Sequence, residues 1–517
     1  MLGAGCAFAL GVWLRFHDLG RCSLWIDEIS SVEKAALPLA DIARAVPPDK
    51  PPLDYWILHF FTGAGAVEEW IVRLPAAVFG ALSIVAMAWL GFAAGANPAS
   101  QNEGQTRCGA QWLACGAALL LAASVFHVRY SQEARPYSLY FLLQTLTLAA
   151  ALELTRSRPA DRTGWTRRSI PFFLALVICG ALSLYTLYAG MIVLTVLMLD
   201  AAWGCMSALA QSSRDRRKDR LTVELLLLLG CALAALCGLP LIKHFHAATG
   251  AQPEFPFDFS LGAALSLLNV FGFAHHDSQG LWLGSKIPGA ILTLPFAFWG
   301  VLALSRRSPR AARMLSLTFL ALLAVPGVYC LKNQHWLPGR YWLPALSPFI
   351  VLLTSGLLAA GHELARLAAQ RKAWRHTLAW TPLALCMLAG LLFIHFRPHT
   401  KPDWRGAARW LESAQPCAAV ACGPITQISL RHHLARSAPQ VKLYYWDGAS
   451  GTLMDAWSAA AWSHAQDRCY LVSFIDAQGH SPNLQQAGWS YQKIWTGRYG
   501  HVGIFRVSIT DQSTDSS

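Results

Sequence analysis

Four short stretches hold residue types that do chemistry. Ser23-Leu24-Trp25-Ile26-Asp27-Glu28 sets two carboxylates side by side. A carboxylate within hydrogen-bond reach of a hydroxyl is a general base. The structural alternative is a pair of acids in the first turn of a helix, where the dipole favours negative charge. Asp49-Lys50-Pro51-Pro52-Leu53-Asp54-Tyr55-Trp56 places a lysine on a rigid Pro-Pro turn. Its ammonium is a compact point charge suited to a phosphate, or the head of a side chain whose stem lies along apolar surface. Arg129-Tyr130-Ser131-Gln132-Glu133-Ala134-Arg135-Pro136-Tyr137 gathers two guanidiniums and a carboxylate, and Gly339-Arg340-Tyr341-Trp342-Leu343-Pro344-Ala345 adds a third guanidinium. Arginine forks match phosphate oxygens bidentately. The same residues also serve as ion pairs that pin turns, or as anchors at helix ends.

The elements that must position these groups are membrane spans. The chain has 517 residues, 54% hydrophobic and 14% charged, with a mean hydropathy of +0.36. Soluble domains carry about a quarter charged residues, so this chain cannot cover itself in water. A span needs about 20 mostly apolar residues. Stretches near 1–14, 71–95, 109–128, 138–154, 170–186, 188–206, 221–243, 287–304, 314–331, 342–360 and 377–396 qualify, predicting an all-α membrane domain of about eleven helices over 1–396. The first is short and lacks the basic start and cleavage pattern of a signal peptide.

The net charge of +13 is topogenic rather than a mark of nucleic-acid binding. With the N-terminus inside, the internal loops 96–108, 155–169, 207–220, 305–313 and 361–376 carry 19 Lys and Arg against 5 Asp and Glu, as the positive-inside rule requires. No basic groove with interleaved aromatics accompanies them. Most of the thirteen cysteines lie within apolar runs and act as small hydrophobes. Cys22, Cys417, Cys422 and Cys469 fall outside, and a bridge among the last three is an open expectation.

Three outward segments are longer than connecting loops: 15–70, rich in acids and aromatics; 244–286, with an apolar stretch at 261–274; and 397–517, a soluble tail. In the tail Asp403 predicts an N-cap for a helix over 404–414, and apolar runs at 417–422, 440–446, 469–475, 491–496 and 502–509 predict the strands of a small α/β domain. All four chemical stretches are expected on the outward face at one depth, with acids in one loop and basic residues in the others. That composition fits an anionic lipid headgroup with a carboxylate beside it.

The order of these motifs resembles a known family. Trp-x-Asp-Glu (25–28), Lys-Pro-Pro-Leu-x-Tyr-Trp (50–56), Tyr-Ser-Gln-Glu-Ala-Arg-x-Tyr (130–137), Arg-Tyr-x-Leu-Pro-Ala (340–345) and Lys-Pro-Asp-Trp-Arg-Gly-Ala-Ala-Arg (401–409) look like the GT-C glycosyltransferases. Within that fold they are similar to the bacterial branch related to protein O-mannosyltransferases and lipid A aminoarabinose transferases. The resemblance implies transfer of a sugar from a polyprenyl-phosphate donor to a lipid, glycan or protein acceptor, at the periplasmic face of the bacterial cytoplasmic membrane. It implies catalytic roles for Asp27 and Glu28, donor-phosphate binding by Lys50, Arg135 and Arg340, and substrate contacts from Trp25, Tyr55, Arg129, Glu133, Tyr137 and Tyr341. It implies no definite cofactor and admits a divalent metal beside Asp27 and Glu28; His275-His276-Asp277 is a weaker metal candidate. Asp54 departs from the family pattern by adding negative charge near the expected phosphate. A flippase of a lipid-linked saccharide is the alternative reading, and it calls for ionisable groups deep within the spans.

Overall fold

The structure, a computed structural model, describes residues 2–47, 50–63, 68–96, 103–156, 169–211, 213–242, 289–333, 339–367, 375–395, 401–414, 418–422, 424–437, 439–446, 469–474, 490–497 and 501–508. The expected loop at 244–286, with His275-His276-Asp277, lies outside these residues. The chain divides into two compact units: residues 1–17, 38–57 and 73–397 form the first, and residues 18–37, 58–72 and 398–517 the second.

The first unit is an all-α bundle. Its apolar stretches fold as α1 (Leu2–Phe16), α5 (Glu69–Gly95), α6 (Glu103–Ala122), α7 (Val125–Ser131), α8 (Tyr137–Arg156), α9 (Ser169–Leu184), α10 (Ala189–Leu209), α11 (Arg214–Cys237), α12 (Gly289–Arg307), α13 (Pro309–Asn333), α14 (Leu346–Leu367) and α15 (Arg375–His395). Between α1 and α5 the chain forms the short helices α2 (Ile26–Ala35), which belongs to the second unit, α3 (Leu39–Ala45) and α4 (Leu53–Thr62). Among the described residues six helices are long and apolar enough to cross a membrane, or seven if α6 and α7, bent by 63°, count as one span. Gly5–Phe16, Ser169–Leu184 and Leu378–Leu392 are shorter apolar helices. The protein is therefore a polytopic membrane protein.

The best-buried helices are α8 and α14, whose faces carry Tyr140, Phe141, Leu148, Phe349, Ile350 and Leu353. Helices α12 and α14 approach backbone to backbone, because a Cβ on Gly300 would strike the Leu352 carbonyl and one on Gly356 the Phe296 carbonyl. Small residues at such crossings give van der Waals contact where lipid supplies no hydrophobic drive.

The second unit carries a five-stranded sheet in the order β2-β1-β3-β5-β4, with β1 (Ala418–Cys422), β2 (Lys442–Trp446), β3 (Cys469–Phe474), β4 (Ser490–Thr496) and β5 (Val502–Ser508). Strand β1 runs parallel to β2 and β3, whereas β5 is antiparallel to β3 and β4. The expected helix is α16 (Trp404–Ala414), capped by Asp403, whose Oδ1 accepts the Gly406 N–H at 2.9 Å. Trp404, Ala407, Ala408 and Leu411 on α16 pack with Ala419, Leu430, Val472 and Ile504.

A second helix, α17 (Pro424–Ser437), went unread in the sequence. Its periodicity is blurred because Thr426, Ser429 and His433 are buried where apolar residues would be expected. The parallel pairing of β1 with β2 calls for such a crossover. The register also limits the cysteines. Ala418 pairs with Cys469, so Cys422 stands level with Ser473. Four residues of parallel strand separate the two backbone positions by about 13 Å, beyond disulfide reach. Cys417 lies outside the described residues.

Candidate functional site

In the first unit, a broken span sets the stage. Helix α6 stops at Ala122 and α7 restarts at Val125, leaving the last carbonyls of α6 without intrahelical donors. Arg15, wholly buried at the end of α1, fills that gap. It donates to the carbonyls of Leu121 (3.1 Å), Ala122 (3.4 Å) and Gly11 (3.0 Å), and to His127 Nδ1 (2.8 Å). Arginine always donates, so Nδ1 is the accepting nitrogen of that imidazole. Gln132 returns the arrangement. Its Nε2 donates to the carbonyls of Leu14, Arg15 and His17 at 3.1, 3.4 and 2.9 Å, closing the end of α1. Each helix terminus is thus capped by a side chain from the other, and together they fix residues 129–137.

Those residues build a basic and aromatic cluster. Arg129 lies 3.6 Å from Glu133 and over the Tyr130 ring, and Arg135 lies over the Tyr137 ring at 5.9 Å. Tyr137 meets Tyr130 edge-on, with ring centroids 5.2 Å apart, and Tyr341 at 6.5 Å. Arg340 lies over Tyr341, and its charge, with those of Arg129 and Glu133, reaches the Tyr130 hydroxyl. The 3-10 segment Gly339–Ala345 that carries Arg340 is pinned by Gln144, which donates to the Pro344 carbonyl at 2.7 Å and to Ser347 Oγ at 3.1 Å.

Helix α4 brings Asp54 into the same neighbourhood. The Leu53 N–H donates to the Tyr185 carbonyl at 3.0 Å, and Trp56 stacks on the Tyr185 ring, so the start of α4 is held against the α9–α10 turn. Lys50 is half-buried on the approach, before the buried Pro51 and Pro52. Tyr55 and Asp54 are buried in the first turn. Burial pushes the Asp54 carboxyl up to about 6, and the Arg135 guanidinium beside it offsets part of that rise. The structure therefore brings Asp54, Arg129, Glu133, Arg135, Tyr137, Arg340 and Tyr341 together, with Lys50 one turn before Asp54.

Asp27 and Glu28 belong to the second unit, in the first turn of α2. Their environments differ. Glu28 is wholly buried, and its Oε2 accepts from Lys401 Nζ at 3.1 Å and from the Trp25 N–H at 3.3 Å. Asp27 is half-buried, as is Trp25. Arg405 ties the preceding residues down, donating to the carbonyls of Arg21 (2.8 Å) and Gly20 (3.3 Å) and to Glu69 Oε2 (3.1 Å), while its own N–H donates to Ser23 Oγ (3.0 Å). Among the described residues no group of three or more His, Cys, Asp and Glu could hold a metal ion. With Glu28 engaged by Lys401, the donor set at this position fits a divalent ion poorly, and no step is derived through one.

Two clusters escaped the sequence reading. Arg15 and His127 left no signal beyond ionisable groups inside apolar runs. On α10, α11 and α13, the buried Asp200 and Glu224 meet Arg310 and Arg313. The arginines had been counted only as inner-loop charge, and an acid within each apolar run (LMLDAAW, TVELLLLL) was the available clue.

No family model matches this chain, and no curated protein matches it. Solved structures do. ArnT from Cupriavidus metallidurans in the apo state superposes with a TM-score of 0.52 at 16% identity, over 96% of each chain. The same protein bound to undecaprenyl phosphate gives 0.51 at 15% identity, over 97% of each chain. The Archaeoglobus fulgidus oligosaccharyltransferase AglB, in complex with an inhibitory peptide and a dolichol-phosphate, gives 0.52 at 12% identity, over 99% of this chain and 74% of that one. At such identities the likeness concerns the fold alone, which this chain shares with ArnT and with the oligosaccharyltransferase.

Proposed function

We propose that this protein is a glycosyltransferase that moves a sugar from a polyprenyl-phosphate donor to an acceptor hydroxyl at the periplasmic face of the bacterial cytoplasmic membrane. The observation that carries the reading is the cluster of Arg129, Arg135 and Arg340 among tyrosines, in a fold shared with one structure bound to undecaprenyl phosphate and another bound to a dolichol-phosphate. The eleven apolar stretches, taken as eleven spans with an inside N-terminus, put residues 129–137, 339–345 and the tail outside.

In this reading Arg135, Arg340 and Lys50 hold the donor phosphate. As the glycosidic C–O bond breaks, negative charge grows on that phosphate, and fixed cations in a water-poor site stabilise it. Asp27 takes the proton of the acceptor hydroxyl as its oxygen bonds to the anomeric carbon. A single displacement inverts that carbon. The tyrosines offer hydroxyls and ring faces to the sugar. Asp54 holds its proton up to about pH 6; protonated, it accommodates a neighbouring phosphate that its carboxylate would repel.

The test is transfer of label from a panel of polyprenyl-phosphate sugars by the purified full-length chain supplied with membrane extract. A labelled, inverted product is expected. Donor lipid that is bound and moved between leaflets of proteoliposomes, with no transfer, would replace this reading with the flippase.

A further inference from the structure

We infer that Lys401 and Arg405 are positioning residues that clamp the Asp27-bearing loop from the soluble tail, giving residues 398–517 a direct part in the reaction. The inference rests on the glycosyltransferase reading for the meaning of Asp27, and on the second unit's own contacts for the clamp.

Glu28 is wholly buried, a costly place for a carboxylate unless it is paired and hydrogen-bonded. Lys401 supplies the charge at 3.1 Å and the Trp25 N–H the second donor. These two contacts fix the rotation of the first turn of α2. Adjacent residues on a helix point about 100° apart, so seating Glu28 on Lys401 turns Asp27 away from Lys401. Ser31 Oγ donates to the Asp27 carbonyl at 2.9 Å, holding its backbone in helical register. One turn further along the tail, Arg405 fastens the chain entering α2. Its guanidinium binds the carbonyls of Gly20 and Arg21 and the buried Glu69, and its backbone N–H binds Ser23. His433 on α17 reaches the Leu24 carbonyl at 3.5 Å. Tail residues therefore hold the loop between Gly20 and Glu28 at Gly20, Arg21, Ser23, Leu24 and Glu28. Two adjacent acids divide the labour: Glu28 is the anchor and Asp27 the working carboxylate.

The experiment compares full-length wild type with Lys401→Met, Lys401→Arg, Arg405→Gln, Glu28→Gln and the Lys401→Met/Glu28→Gln pair. Two readouts are taken: amide exchange of residues 20–35, and transfer kinetics with the best donor of the panel. Lys401→Met is expected to speed exchange over 20–35 and to lower kcat by about tenfold or more, the scale of a misplaced catalytic group, with donor KM within about twofold. Lys401→Arg is expected to restore most of both, and the pair to be no worse than Glu28→Gln alone. Should Lys401→Met fail to fold, Lys401→Arg and Arg405→Gln decide by the same readouts. Wild-type exchange and kcat in Lys401→Met and Arg405→Gln, or losses that multiply in the pair, overturn the inference. If wild type transfers no sugar, the glycosyltransferase reading fails alone: faster exchange in the variants still sustains the clamp, and unchanged exchange sinks it.

Discussion

Two clusters of charge in the helical unit are built differently. In the cluster of α10, α11 and α13, Arg310 binds Glu224 through two parallel bonds of 2.6 and 2.7 Å, and Asp200 accepts from Arg310 and Arg313 at 2.7–2.9 Å. Gly204 is required there, because a Cβ would collide with the Glu224 carboxylate. Opposite charges meet in short, bidentate geometry, and the cluster is closed. The cluster of α4, α7, α8 and the 339–345 segment is built otherwise. Its arginines face tyrosine rings at nearly 6 Å, Arg129 lies 3.6 Å from Glu133, and burial raises its Asp54 carboxyl to about 6. Among the described residues it gathers Arg129, Arg135 and Arg340 with Glu133 and Asp54, whose carboxyl is neutral below about pH 6. Short, bidentate carboxylate pairs fit a structural pin; guanidiniums set among tyrosine rings suit an anion.

Breaking the closed cluster should produce the largest change. Arg310→Met strips Glu224 of its bidentate partner and is expected to cost about 3–5 kcal/mol, read as a lower unfolding midpoint in detergent. Replacing Asp200, Glu224, Arg310 and Arg313 together with apolar residues of similar size should recover most of that loss, and sugar transfer should follow the amount of folded protein. A catalytic defect in folded quadruple variant would show that this cluster is more than a pin.

Arg135→Gln comes next. Losing one charge-assisted phosphate contact, worth about 1.5–3 kcal/mol, should raise donor KM by roughly 10–100-fold. Arg135→Lys should recover only part, since an ammonium lacks the planar fork. An unchanged KM would move the phosphate away from this cluster.

The smallest effect is a pH dependence. Between the ordinary value of 3.8 and about 6, the folded protein holds an Asp54 proton that the unfolded chain has lost. Stability contributed by this group therefore falls as pH rises through that window. Donor affinity should fall in the same direction, by up to about tenfold for each unit that bound phosphate would raise the carboxyl, because ionised Asp54 competes for Arg135. A donor phosphodiester has no ionisation of its own near pH 6. Asp54→Asn should abolish the dependence and hold KM at its acid-side value; a dependence that persists in the variant contradicts the assignment.

Much of this was legible in the sequence, for physical reasons. Apolar runs long enough to span fold as helices, and the Asp403 cap and five apolar runs of the tail became α16 and the five-stranded sheet. The stretches 129–137 and 339–345, far apart in the chain, were expected on one face, and the structure brings them together with Asp54. What stayed hidden depends on tertiary partners. Arg15 reads as an ordinary residue at a helix end until it is seen to donate to the carbonyls of Leu121 and Ala122. Asp27 and Glu28 look equivalent side by side, and only Lys401, far along the chain, separates them. Helix α17 buries hydroxyls and an imidazole where periodicity calls for apolar side chains, so its pattern gave no signal.

The most direct test compares wild type, Asp27→Asn and Glu28→Gln in one transfer assay with a labelled polyprenyl-phosphate sugar, alongside donor binding. The amide at 27 keeps the shape and cannot take a proton. The account predicts that Asp27→Asn binds donor as wild type does and loses about 10²–10⁴-fold in kcat, while Glu28→Gln loses less, because an amide still accepts from Lys401 and the Trp25 N–H. Transfer by Asp27→Asn at the wild-type rate would contradict the account and remove Asp27 from the chemistry.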